Sequence, residues 1–209
     1  ALALRAGCCL SFGPTENPEK TMTPEAVLAE FRATGALLEG HFILRSGRHS
    51  RQFFQCALLL QYPDKAARLC AALAEQFNPS DFDAVISPAL GGLFVGHELA
   101  KALGKRHIFA EKEGGVLVLR RGFRIAPGER FLVAEDVITT GGRVAETIEI
   151  VRRAGGIAVA AAALVHRGDA QPEFGCPFHS LLRLQVETFD AAGLPPDLAA
   201  TPAEKPGSK

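Results

Sequence analysis

Apolar positions along this chain change their spacing in a regular order, and the order predicts the elements. Val27, Leu28 and Phe31 recur at helical spacing behind Thr23-Pro24, so a helix is predicted from Pro24 that stops near Gly35. Gly40-His41-Phe42-Ile43-Leu44 and Phe53-Phe54-Gln55-Cys56 read as two short strands around the turn Arg45-Ser46-Gly47-Arg48-His49. Ala66, Leu69, Cys70, Leu73 and Phe77 share one face of a second helix, from about Pro63 to Phe77. Asp83 to Ser87 is a short apolar strand, and the turn Pro88-Ala89-Leu90-Gly91-Gly92 leads into a third helix ending near Gly104. His107 to Ala110 is another strand, and Val116 to Leu119 with Arg124-Ile125 suggests a hairpin. A helix from Val144 to Arg153 stops at Gly155-Gly156, and Ile157 to Val165 reads as the last long central strand. Strands alternate with helices through residues 83–165, which predicts an α/β fold with a mostly parallel sheet covered on both faces.

The two ends read differently. The only methionine, Met22, opens a good helix start, so residues 1–21 are expected to be a disordered N-terminal extension outside the fold. Residues 22–189 are expected to form one domain, with a small hood over about 22–60 and a core over about 61–189. From Ala191 the chain is rich in Pro, Ala and Gly, so 190–209 is expected to be a flexible tail.

Composition narrows the class. The 209 residues suit one ordinary domain with a real core. A formal net charge of +0 gives no global field for nucleic acid. No apolar run has the length to span a membrane. Cys8, Cys9, Cys56, Cys70 and Cys176 are odd in number and show no C-x-x-C spacing, which argues for a reducing, cytoplasmic setting rather than a disulfide framework or a zinc site.

The chemistry concentrates in Phe131-Leu132-Val133-Ala134-Glu135-Asp136-Val137-Ile138-Thr139-Thr140-Gly141-Gly142-Arg143. A buried strand runs into two carboxylates at its carboxyl end, where open α/β sheets bind ligands. Adjacent carboxylates suit vicinal sugar hydroxyls or a hydrated Mg²⁺. The glycines allow close approach of the backbone, and the following helix aims free N–H groups at a phosphate. Gly91-Gly92 is a second strand-to-helix turn, open to two readings: amides offered to an anion, or tight helix–strand packing.

The thirteen-residue segment resembles the phosphoribosyl pyrophosphate motif of type I phosphoribosyltransferases, and residues 22–189 resemble orotate phosphoribosyltransferases in their longer bacterial form. The resemblance implies a type I phosphoribosyltransferase fold with a small N-terminal hood. It implies transfer of phosphoribosyl from its pyrophosphate to orotate with Mg²⁺, in pyrimidine biosynthesis, by a homodimer with no nucleic-acid or membrane partner. Residues 135–143 would then bind phosphoribosyl pyrophosphate, with Asp136 also catalytic and Thr139 touching orotate. Arg167, in Leu164-Val165-His166-Arg167, matches the arginine that grips the orotate carboxylate. Lys112, in Glu111-Lys112-Glu113-Gly114-Gly115, matches a catalytic lysine on a mobile loop that reaches the neighbouring subunit. Arg45 matches a substrate contact, and Phe53 and Phe54 fall either against the base or in the core. Metal contact would run through Glu135 and Asp136.

Departures from the family pattern are visible. Ala134 is small, Arg143 replaces a small hydroxyl residue, Gly91 stands where a lysine is frequent, Glu111 replaces an arginine that Arg120 and Arg121 would have to supply, and His166 replaces an aspartate. The competing readings are a purine or uracil phosphoribosyltransferase, which shares the motif but not the hood, and a non-catalytic sensor of phosphoribosyl pyrophosphate.

Overall fold

The computed structural model describes residues 22–44, 46–168 and 170–206. The elements run α1 (Pro24–Ala33), β1 (Leu37–Ile43), β2 (His49–Phe54), α2 (Ala57–Leu60), α3 (Pro63–Ala74), β3 (Ala84–Pro88), α4 (Gly91–Leu103), β4 (Arg106–Glu113), β5 (Val116–Leu119), β6 (Arg130–Ile138), α5 (Gly142–Arg153), β7 (Ile157–His166), β8 (Phe178–Arg183), β9 (Thr188–Phe189) and α6 (Pro196–Ala199). The order of strands in the main sheet is β5-β4-β3-β6-β7-β8. All its pairings are parallel except that of β4 with β5.

Alternation along β6 decides the layers. Leu132 and Ala134 face a core built with Val27, Phe31, Leu69, Leu73, Val95 and Leu99, from α1, α3 and α4. Phe131 and Val133 face a second core with Val144, Ile148 and Val151 of α5. Each side of β6 is thus buried, as a parallel strand between helices requires. Thr23 caps α1 by accepting from the Ala26 amide at 3.3 Å, and Pro24 occupies its first turn.

The hood is a separate antiparallel sheet of order β1-β2-β9. β7 is the last long central strand, as expected, and the shorter β8 adds to its outer edge, with Ala161 opposite Phe178 and His166 opposite Arg183. Other expectations change here. Val116–Leu119 pairs back onto the end of β4, not with Arg124-Ile125. The stretch around Lys112, expected as a mobile loop, forms a two-stranded hairpin, in which Gly114 (φ 57°) and Gly115 (φ 90°) make a tight turn and Lys112 sits opposite Leu117. The segment 190–206 is laid across the hood, in place of the expected flexible tail. Leu198 is buried there, Glu204 bridges Phe42, and Arg51 grips Asp197 through Nε and Nη2 at 2.7 and 2.9 Å. Composition alone misses this, because the anchoring partners lie about 150 residues upstream. Residues 1–21 and Arg45 lie outside the described residues.

Candidate active site

Four segments converge at the carboxyl edge of β3, β6 and β7. From β3, Pro88-Ala89-Leu90 turns into α4, with the Ala89–Leu90 peptide cis and the Ala89 amide donating to the Ala110 carbonyl at 2.7 Å. From β6 come Glu135 and Asp136. The turn Thr139–Gly141 carries the chain into α5, and β7 delivers Arg167. The Arg167 amide donates to the Ile138 carbonyl at 2.8 Å, which ties the end of β7 to the start of that turn.

The acid pair is held closely. Glu135 Oε1 accepts from the Asp136 amide at 3.1 Å, and Asp136 Oδ1 accepts from the Val137 amide at 2.8 Å. Glu135 is 7 % exposed. Burial, and then the neighbouring Asp136 charge, push the Glu135 acid well above the ordinary carboxylate range. Burial also raises Asp136, opposed by hydrogen bonds from Glu135 and the Val137 amide. Two carboxyls this close and this dry do not both ionise without a cation or a set of donors between them.

The glycines of α4 are explained by the acids. A Cβ on Gly91 would sit 2.8 and 2.9 Å from the two Asp136 carboxylate oxygens, and one on Gly92 would sit 2.8 Å from Glu135 Oε1 and 3.0 Å from the Ala134 carbonyl. Of the two readings left open, close packing is the one with direct contacts, and what packs is the site itself. Gly141 is needed twice: its φ of 81° is left-handed, and the Phe174 ring lies 2.5 Å from where its Cβ would be. Thr139 and Thr140 are exposed at the mouth of the turn, Gly142 opens α5, and Arg143 pairs with Glu146 at 3.5 Å.

Arg167 is half-buried, and burial lowers its guanidinium below the ordinary range. No carboxylate partner for it is found among the described residues. Lys112 is exposed on the hairpin and likewise unpaired among the described residues. Arg120 and Arg121 are already engaged, with Glu113 at 3.3 Å and Glu111 at 2.9 Å. Phe54 is buried against Phe31 (5.3 Å, edge to face), which is the core role of the two open to it, and Phe53 is half-buried against Phe42 at 6.0 Å.

Sequence reasoning missed two groups. Cys56 is buried, and burial with Asp136 and Glu135 pushes its thiol well up, so it stands within electrostatic reach of the acid pair and of Arg167. Ser87 and His107 form a partly buried hydrogen bond of 2.8 Å beneath α4. Neither carries a motif, and both depend on which strands become neighbours.

A mostly parallel sheet with an acid pair at the end of β6 and a glycine turn into α5 is the frame of a phosphoribosyl transferase, and the family comparison bears this out. Residues 60–174 match the phosphoribosyl transferase domain. The chain is 51% identical over 191 residues to an orotate phosphoribosyltransferase of Rhizorhabdus wittichii, covering 90% of this chain and 97% of that one. It is 49% identical over 188 residues to the enzyme of the same name from Pelotomaculum thermopropionicum, covering 90% and 99%. Among solved structures it is similar to orotate phosphoribosyltransferase from Aeropyrum pernix, with a TM-score of 0.64, 28% identity, and coverage of 76% of this chain and 93% of that one. The chain belongs to the orotate phosphoribosyltransferase family.

Proposed function

We propose that this protein transfers the 5-phosphoribosyl group from its 1-pyrophosphate to N1 of orotate, giving orotidine 5′-phosphate and pyrophosphate for pyrimidine synthesis. The observation that carries the choice of base is Arg167. A half-buried guanidinium with no carboxylate partner among the described residues is stabilised by an incoming anion, and a planar carboxylate on the base completes it with two parallel hydrogen bonds. A purine or uracil offers no such group.

The 5′-phosphate lies on the turn Thr139–Arg143, where amides at the start of α5 and the Arg143 guanidinium meet it. Glu135 and Asp136 accept hydrogen bonds from the ribose hydroxyls. Their oxygens also suit Mg²⁺, a hard cation that takes one or two carboxylates and completes its shell with water and substrate oxygens. When bound, the ion offsets negative charge on the departing pyrophosphate. The C1′–O bond breaks with its electron pair leaving on pyrophosphate. The orotate N1 electron pair then forms the new C1′–N bond, and the N1 proton is lost to solvent. Asp136 stabilises the positive charge that develops on the sugar between these events.

Lys112, exposed and unpaired on the hairpin, reaches the pyrophosphate of a neighbouring subunit in a homodimer. Three described cysteines are free, which fits the cytoplasm. The test is the loss of orotate absorbance with phosphoribosyl pyrophosphate and Mg²⁺, with uracil, hypoxanthine and adenine beside it. Consumption of orotate alone is expected. Turnover of a base that lacks a carboxylate would overturn the Arg167 reading, and binding of phosphoribosyl pyrophosphate without turnover of any base would mark a sensor.

A further inference from the structure

His166 is the one fully buried imidazole at the carboxyl edge of the described sheet, and no step above uses it. It ends β7, opposite Ile138 on one side and Arg183 on the other. Its side chain is 0% exposed. Neither ring nitrogen has a hydrogen-bond partner of ordinary geometry among the described residues, although the Ala170 backbone lies near enough to favour the protonated form. Buried polar groups are nearly always paired, so an orphaned ring asks for an explanation.

Its surroundings supply one. A Cβ on Gly168 would lie 3.0 Å from the Thr139 carbonyl and 3.1 Å from His166 Nε2, so the ring and the first residue of the phosphate turn converge on one point. On its other side the ring meets Phe178 edge to face at 5.3 Å, Phe178 meets Phe174 at 5.6 Å, and Phe174 fills the space left by Gly141. A continuous column thus runs from His166 beneath both ends of the turn. The turn itself carries one cation, Arg143, already shared with Glu146.

We propose that His166 is a positioning residue of the phosphate turn, and that seating a sugar phosphate on residues 139–143 is coupled to proton uptake by its imidazole. This rests on the reading of that turn given under the proposed function. Among the described residues, the titratable and charged groups on the elements around the ring are Arg183 of β8, Arg143, Glu146, Glu149, Arg152 and Arg153 of α5, Glu135 and Asp136 of β6, Arg167, and Glu173 and Cys176 in the connection to β8. His179 of β8 turns away, against Phe77. Burial, and then Arg183, hold the ring below its ordinary range, which favours its neutral form before the ligand arrives. A phosphate dianion nearby favours the imidazolium. The resulting gain in affinity is therefore present at low pH and is lost as pH rises through the value of the bound state, at most about tenfold per pH unit for one proton.

Ribose 5-phosphate binding to the full chain is measured calorimetrically from pH 6 to 8, in buffers of different ionisation enthalpy, for wild type and His166→Gln. The ligand's own ionisation is common to both proteins, so the difference isolates the ring. Wild type is expected to take up more protons than the variant, and its affinity advantage is expected to shrink as pH rises. Equal proton uptake, or an affinity loss that is the same at every pH, overturns the proposal while leaving the phosphate turn intact. Absence of binding to wild type at any pH overturns the reading of the turn as well. If His166→Gln does not fold, the ring nitrogen shifts of His166 in wild type, with and without ribose 5-phosphate, decide the same question: an unchanged protonation state overturns it.

Discussion

Replacing Gly91 by alanine tests whether the first turn of α4 is shaped around the acid pair. The added Cβ would stand 2.8 and 2.9 Å from the Asp136 oxygens and 3.0 Å from its Cγ. Ordinary contact begins near 3.4 Å, so the carboxylate must move by about half an ångström. It cannot do so freely, because Oδ1 is held by the Val137 amide at 2.8 Å. A misplacement of about 1 Å at a reacting centre costs roughly a hundredfold, so about half that shift should cost on the order of tenfold in kcat/KM. Stability should change little. Loss of one hydrogen bond is worth about 1 kcal/mol, and alanine in a helix regains about 0.5–1 kcal/mol over glycine. Gly193→Ala, where a Cβ meets nothing within 4 Å, serves as the control. Orotate consumption and thermal melts are measured on all three proteins. The reasoning fails if Gly91→Ala keeps activity within twofold of wild type, or if its loss of activity merely follows a lowered Tm.

Asp136→Asn should cut turnover by a hundredfold or more while leaving the melt unchanged or raised, since it removes a charge that burial already disfavours; comparable turnover would remove Asp136 from the chemistry. Arg167→Ala should raise the KM for orotate by about ten- to a hundredfold, the worth of a charged hydrogen bond, and spare that for phosphoribosyl pyrophosphate; an equal rise in both would contradict the pocket assignment. His107, pushed down to about 4 by burial from 6.5, binds a proton more readily when unfolded, so stability should fall as pH drops from 6.5 towards 4; denaturant titrations of His107→Asn should show a flatter acid limb. His49→Ala removes the 2.6 Å bond to His41, whose other ring nitrogen meets the Thr201 carbonyl at 2.7 Å, so amide exchange at Glu204, which donates to the His41 carbonyl, should quicken; unchanged exchange would show that the segment 190–206 is held elsewhere.

Local order was legible wherever a residue's role depends on its neighbours in the chain. The helix cap at Thr23, the periodic faces of α1, α3 and α5, and the strand-acid-glycine run from Phe131 to Arg143 are all encoded within a few residues, because helix caps, period and turn chemistry act at that range. Arg167 was legible for a similar reason, since it directly follows a strand whose apolar run is unmistakable. The hairpin at Lys112 was half legible: the two glycines announce the turn, but whether the flanking residues pair is decided by β4, whose other edge is held by β3.

What tertiary structure alone decided lies in contacts between distant segments. Gly91 and Gly92 look like an anion loop until β6 is set beside α4, and then they are the space that two buried carboxyls occupy. The proline- and alanine-rich end looks unstructured until β2 offers Arg51 to Asp197 and β1 offers a backbone edge to Glu204. His166 reads as a substitution in a motif until β8 buries it beside the turn that follows β6. In each case the residue's free energy is set by desolvation and by partners far along the chain, neither of which exists before the sheet has assembled.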